Sequence, residues 1–162
     1  MEPNFANSIK ESPICRDLFY AIRLLAKPGS TVLELGSGAG STPALSKFYD
    51  LYSIEHQLEF VGKFNDASKY IQMNLDSDAF YSDEKLATLN ILYSLLLIDG
   101  PDTESRIHQF SLHLDFFNKS VPWVFDDYQY QTHWQTELHE LAEKTGREIL
   151  VFGSCKPFCV FL

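Results

Sequence analysis

The sequence predicts an α/β fold: a doubly wound, mostly parallel sheet of seven strands that ends in an antiparallel hairpin. Three observations carry this expectation. Short apolar runs alternate with segments of helical periodicity along the 162 residues. Four of those runs end in acidic or glycine-bearing turns, at Glu34 with the glycines that follow it, at Glu55, at Asp99-Gly100 and at Asp126-Asp127. The last two runs, EILVF and FCVFL, are joined only by GSCKP, too short a link for a parallel crossover.

The elements follow in order. Ile14, Leu18, Ile22 and Leu25 recur at helical spacing, so a leading helix is expected over Cys15 to Ala26, with its approach beginning near residue 8. Pro28-Gly29 stops it, and TVLEL is the first strand. STPALSKFY reads as a helix, capped by Ser41 or Thr42 with Pro43 in its first turn. LYSIE is the second strand, LEFVGKFNDASKY a helix, YIQMN the third strand and SDEKLATLN a short helix. YSLLLI is apolar throughout, as a parallel strand covered on both faces requires. Ile107, Phe110, Leu114 and Phe117 mark a helix, VPWVF a fifth strand, and Trp134, Leu138 and Leu141 a helix stopped near Gly146.

Length suits one domain over residues 1–162 with one sizeable core. The net charge of −9 and the lack of a Lys/Arg cluster argue against nucleic acid as the main partner. No stretch approaches the roughly 18 apolar residues of a membrane helix, and the N-terminus carries no signal pattern, so no membrane is expected and a cytoplasmic location is the default. Cys15, Cys155 and Cys159 make no disulfide framework and read as small buried or part-buried thiols rather than a metal or redox set.

In such sheets ligands bind beyond the carboxyl ends of the strands, where the four acidic turns lie. Gly36, Gly38 and Gly40 allow tight turning and close approach of a ligand to bare backbone. Glu55, about 20 residues on at the next strand end, suits the two hydroxyls of a ribose. Glu34 sets a carboxylate just ahead of the first glycine, where it would repel a pyrophosphate. At ~5 Å and an effective dielectric near ~20 that repulsion is about 3 kcal/mol before solvent screening. The same sign favours a cationic, ribose-bearing donor. The glycine spacing is also one position short of the dinucleotide pattern, and no GK[ST] is present.

LELGSGAGST, YSIEH, LLLIDGP and VFDDY, in that order, resemble the class I S-adenosylmethionine-dependent methyltransferases, over nearly the whole chain. The resemblance implies a Rossmann-like sheet and methyl transfer from S-adenosyl-L-methionine to a small-molecule acceptor at oxygen or nitrogen. It implies that Gly36, Gly38 and Gly40, with Ser37, Ser41 and Thr42, surround the methionine part of the cofactor, which Glu34 orients through the loop or water. Glu55 would hold the ribose, His56 lie against the adenine, and Asp76 reach the adenine amino group in competition with Asp78. Asp99 falls where donor and acceptor meet and is the first candidate base, with Asp127, His133 and Tyr128 behind it.

Asp99, Asp126 and Asp127 also form a candidate oxygen-ligand set for Mg²⁺ or another divalent ion, as in catechol-type members of the family. The sequence departs from those members with Asp127 where an Asn is usual and Asp102 where a lysine is expected, which weakens the metal and catechol readings. Otherwise Asp126 and Asp127 are a polar strand terminus, one capping the next helix, with Arg106 a partner for one of them. Tyr81, Tyr128, Tyr130 and Trp134 are candidate acceptor walls, although Trp134 at helical spacing reads first as core. The acceptor site must be completed by the N-terminal segment, by the loops after strands four and five, or by a second subunit in a homodimer. The competing readings are an interaction or regulatory module on the same fold, with or without cofactor, and a nicotinamide-dependent oxidoreductase, against which the glycine spacing speaks.

Overall fold

The structure, a computed structural model, describes residues 16–128, 131–153 and 156–162. The expectations that fall on Ile14, Cys15, Tyr130 and Cys155, and on the approach to the first helix, lie outside these residues. Helix α1 (Arg16–Leu25) leads into β1 (Thr31–Leu35), and α2 (Ser41–Leu45) into β2 (Asp50–Glu55). Then come β3 (Tyr70–Gln72), α3 (Asp83–Leu86), β4 (Leu95–Ile98), α4 (Arg106–Leu112), β5 (Trp123–Phe125), α5 (Thr132–Thr145), β6 (Ile149–Phe152) and β7 (Phe158–Phe161).

The seven strands form one sheet in the order β3-β2-β1-β4-β5-β7-β6. The first five run parallel, and β7 lies antiparallel between β5 and β6. Side chains alternate between the two faces with the period of two that a strand imposes. Val32, Leu95, Leu97, Val124 and Val160 pack with Leu18, Phe19 and Ile22 of α1 on one side. Leu33, Leu96, Ile98, Phe125 and Phe161 pack with Phe110 of α4 and Trp134 and Leu138 of α5 on the other. Strand order reverses between β1 and β4, so the loops after them part and leave a crevice at the carboxyl edge.

Three local expectations are corrected. Residues 57–66 are turns followed by a 3-10 turn over Ala67–Lys69, not the helix expected of LEFVGKFNDASKY. Gly62 sits at φ +75°, Asn65 bonds Leu51 O through its side chain, and Asp66 accepts from Ser68 N. Such side chains offer the backbone partners that compete with helix. Gly40, not Ser41 or Thr42, is the N-cap of α2, because both hydroxyls are drawn to Glu34 instead. Neither Asp126 nor Asp127 caps α5, whose N-cap is Gln131; both carboxylates are engaged by Lys156.

Candidate functional site

The loop after β1 is built on a carboxyl that is not part of the cleft lining. Glu34 alternates with Leu33 and Leu35, so it points to the face that carries α1 and α2, and it is fully buried. It accepts hydrogen bonds from Ser41 Oγ, Thr42 Oγ1 and Ser53 Oγ, each at 2.8 Å. Ser53 is its cross-strand neighbour in register on β2. Thr42 Oγ1 in turn accepts Gly38 N at 2.9 Å, so Glu34 shapes the glycine loop from beneath through one intermediary. Burial pushes its pKa up to about 7, against the pull of the three hydroxyls. Glu34 is thus buried beneath the loop and outside the cleft lining, contrary to the expectation that its charge stands beside a bound donor.

The acidity of the crevice comes from other residues. A cleft of about 290 Å³ is lined by Gly36, Ser37, Gly38, Glu55, His56 and Phe60, which follow β1 and β2. Asp99, Gly100, Asp102, Arg106 and Asp127, which follow β4 and β5, line it too. Four carboxylates and one guanidinium thus line it, and Lys156 engages one of the four, Asp127. Two backbone donors that would cradle a phosphate are already used, Ser37 N by Glu55 Oε2 at 2.9 Å and Gly38 N by Thr42. The cleft therefore suits a cation better than a pyrophosphate. Its glycines differ in purpose. A Cβ on Gly36, at φ +80°, would lie 2.7 Å from Gly100 Cα, whereas a Cβ on Gly38 or Gly40 would meet no atom of the described residues within 4 Å beyond its chain neighbours. Gly36 is bare because another backbone touches it, and Gly38 leaves the cleft open.

Glu55 is buried, with Ser37 N and Oγ on Oε2, both at 2.9 Å, and Gln57 N on Oε1 at 2.7 Å. His56 Nδ1 lies 3.2 Å from Oε1 without hydrogen-bond geometry. A ribose at Glu55 would compete with the Ser37 hydroxyl. Asp76 is exposed beyond β3, its N–H on Phe80 O, and is not part of the cleft lining; Asp78 lies 3.8 Å from His113 Nε2.

Asp99 follows β4 at the cleft floor. Ser41 Oγ lies 3.1 Å from its Oδ2 and 2.8 Å from Glu34 Oε1. One hydroxyl proton serves only one carboxylate, so the second contact is attractive when the pair Glu34/Asp99 holds a proton of its own. Burial raises the Asp99 pKa well above the usual range, and Asp126, Glu34 and Asp127 add to the rise while Lys156 opposes it.

Asp99, Asp126 and Asp127 bring ligand atoms within 4.8 Å of one another. As folded, they do not fit a divalent ion. Lys156 Nζ lies 2.8 Å from Asp126 Oδ2 and 2.7 Å from Asp127 Oδ1, and an ion about 2.1 Å from those oxygens would overlap the ammonium. Burial opposes the lysine's charge, but its hydrogen bonds to the two carboxylates push its pKa up. Asp127 adopts φ +63°, a left-handed conformation that Asp tolerates, with its N–H on Asp126 Oδ1 at 3.0 Å. Arg106 Nη1 stands 3.7 Å from Asp127 Oδ2 and finds no hydrogen-bond partner among the described residues, while Nε donates to Pro101 O.

The remaining candidates sit elsewhere. His133 is exposed, its Nε2 3.1 Å from Glu104 O. Trp134 and Tyr81 are fully buried in the core, and Tyr128 pairs with His139 Nε2 at 3.1 Å. Cys159 is buried in β7, where burial pushes its thiol pKa up. A larger hollow of about 390 Å³ lies at the opposite, amino-terminal edge of the sheet. Its cations are committed: Lys119 to Asp115, Lys144 to Ser111 O, and Arg147 to Lys119 O and Val121 O. Sequence reasoning missed Ser53 and Lys156. The signal for both was pairing, since Ser53 stands opposite Glu34 and an antiparallel β7 returns its amino end to the carboxyl end of β5.

No family model matches the chain, and no curated protein matches it by sequence. Solved structures do match in fold. A putative caffeoyl-CoA O-methyltransferase from Staphylococcus aureus has a TM-score of 0.64 at 12% identity, over 98% of this chain and 91% of that one. Fibrillarin from Aeropyrum pernix, with natively bound S-adenosyl-L-methionine, has a TM-score of 0.62 at 15% identity, over 90% and 73%. A magnesium protoporphyrin IX methyltransferase from Synechocystis, also with bound cofactor, has a TM-score of 0.54 at 13% identity, over 90% and 76%. The fold is that of the class I S-adenosylmethionine-dependent methyltransferases.

Proposed function

On this fold we propose that the chain is an enzyme that transfers a methyl group from S-adenosyl-L-methionine to a small-molecule acceptor at oxygen or nitrogen. The observation that carries the reading is the acid-lined cleft at the switch point, bordered by the glycine loop, Glu55 and Asp99. Gly36, Ser37 and Gly38 would border the methionine part, Glu55 the ribose and His56 the base, while Glu34, Ser41 and Thr42 hold the loop from below. When bound, the cofactor supplies a methyl group already activated on a sulfonium. The chain's own residues have three tasks. Glu55 and the loop fix the donor's orientation, the cleft walls exclude water, and carboxylates near the methyl position favour positive charge.

Asp99 is the base in this reading. It would take the acceptor's proton, and burial, which raises its pKa above the usual carboxylate range, makes it a stronger base than a solvated carboxylate. Asp127, bridged by Lys156 and lying 3.7 Å from Arg106 Nη1, would orient the acceptor rather than take its proton. Calorimetry with S-adenosylmethionine, S-adenosylhomocysteine and NAD tests the proposal. Binding of both adenosyl ligands and not of NAD is expected. Folded protein that binds neither adenosyl ligand refutes it, and binding without turnover on any acceptor favours a regulatory module.

A further inference from the structure

We infer that Lys156 is the built-in cation of the acidic corner, standing where a divalent ion would otherwise sit among Asp99, Asp126 and Asp127. The backbone arranges this. Phe125 of β5 pairs with Cys159 of β7, so the segment just before β7 lies beside the residues just after β5. Tyr128 N donates to Pro157 O at 2.9 Å and pins the two loops together one residue from Lys156. The ammonium then bridges the Oδ2 of Asp126 and the Oδ1 of Asp127. Both carboxylates are largely buried, at 6% and 18% exposure. Two such groups beside Asp99 need a compensating charge, because a buried carboxylate left unpaired is strongly destabilising.

An ammonium and a divalent ion satisfy that need differently. Mg²⁺ or Mn²⁺ gathers about six oxygens and can chelate two neighbouring acceptor oxygens. Lys156 is a point charge with three N–H donors, two of them spent on Asp126 and Asp127. The corner is therefore built to work without a metal. If the proposed methyl transfer holds, its acceptor is met by donors from Lys156 and Arg106, not by chelation of a vicinal pair.

The test is a contest between Lys156 and Mn²⁺, read by electron paramagnetic resonance without S-adenosylmethionine, so that its failure leaves the cofactor reading standing. Wild type and K156R are expected to leave Mn²⁺ free. K156M is expected to bind one Mn²⁺ about tenfold or more tightly than wild type, and D126N added to K156M to abolish the gain. Wild type that binds one Mn²⁺, with D126N removing it, overturns the inference, as does K156M that gains nothing. Should K156M fail to fold alone, its refolding yield with Mn²⁺ reads the same contest: recovery supports the replacement and no recovery overturns it.

Discussion

Glu34 and Glu55 are two carboxyls on neighbouring strands with opposite tasks, and their surroundings set the difference. Glu34 is sealed under three hydroxyls and holds its proton up to about pH 7 in the folded chain, against an ordinary value of 4.5. Stability from this group is whole below pH 4.5 and is lost as pH rises through 7, because the folded chain binds the proton more tightly than the unfolded one. The loss amounts to about 3 kcal/mol at the upper end. Glu34→Gln should flatten that slope. Urea midpoints of wild type and E34Q across this range check it, and a constant difference between them would count against it. Glu55 lines the cleft. Glu55→Ala should weaken S-adenosylmethionine binding more than about tenfold, since paired hydrogen bonds to a carboxylate are lost. Unchanged affinity by calorimetry would remove Glu55 from the site.

Single elements show why one glycine is not another. Gly146 ends α5 at φ +66° with open space where a Cβ would go, whereas Gly36, at φ +80°, would drive its Cβ into Gly100. Gly146→Ala should therefore cost about 1 kcal/mol, the left-handed penalty alone. Gly36→Ala adds a backbone clash and should cost about 3 kcal/mol or fail to fold. Denaturant unfolding of the two variants checks the order, and equal losses would contradict it. Strand types and order of appearance were legible because period-two and all-apolar runs survive any context. The turns at 57–66 were not, since their apolar spacing imitates a helix while Gly62, Asn65 and Asp66 carry the deciding local bonds. Ser41 and Thr42 misled for a related reason: a hydroxyl suited to capping is equally suited to a buried carboxyl.

Across the whole molecule, the motifs in sequence order located the cleft, while contacts between distant segments decided its charge. Asp99, Asp126 and Asp127 were readable as a cluster, but Lys156 approaches them from 29 positions beyond Asp127 and only strand pairing reveals it. Ligand binding should register on the entire fold. S-adenosylmethionine at a hundredfold over its Kd should add about 2.7 kcal/mol to stability and raise Tm by several degrees, with NAD leaving it unchanged. Equal shifts by both ligands would argue for a general nucleotide crevice.

The contact between Gly36 and Gly100 also bears on how such a molecule can diversify. A side chain at either position collides with the opposite main chain, so neither can drift alone, and the partition between the two halves of the crevice is inherited as one piece. New acceptors must then be met by changing the outer walls, from Asp126 onward and along the hairpin that carries Lys156. That is where substitutions should accumulate in descendants of this chain, and where directed evolution of its substrate range should begin.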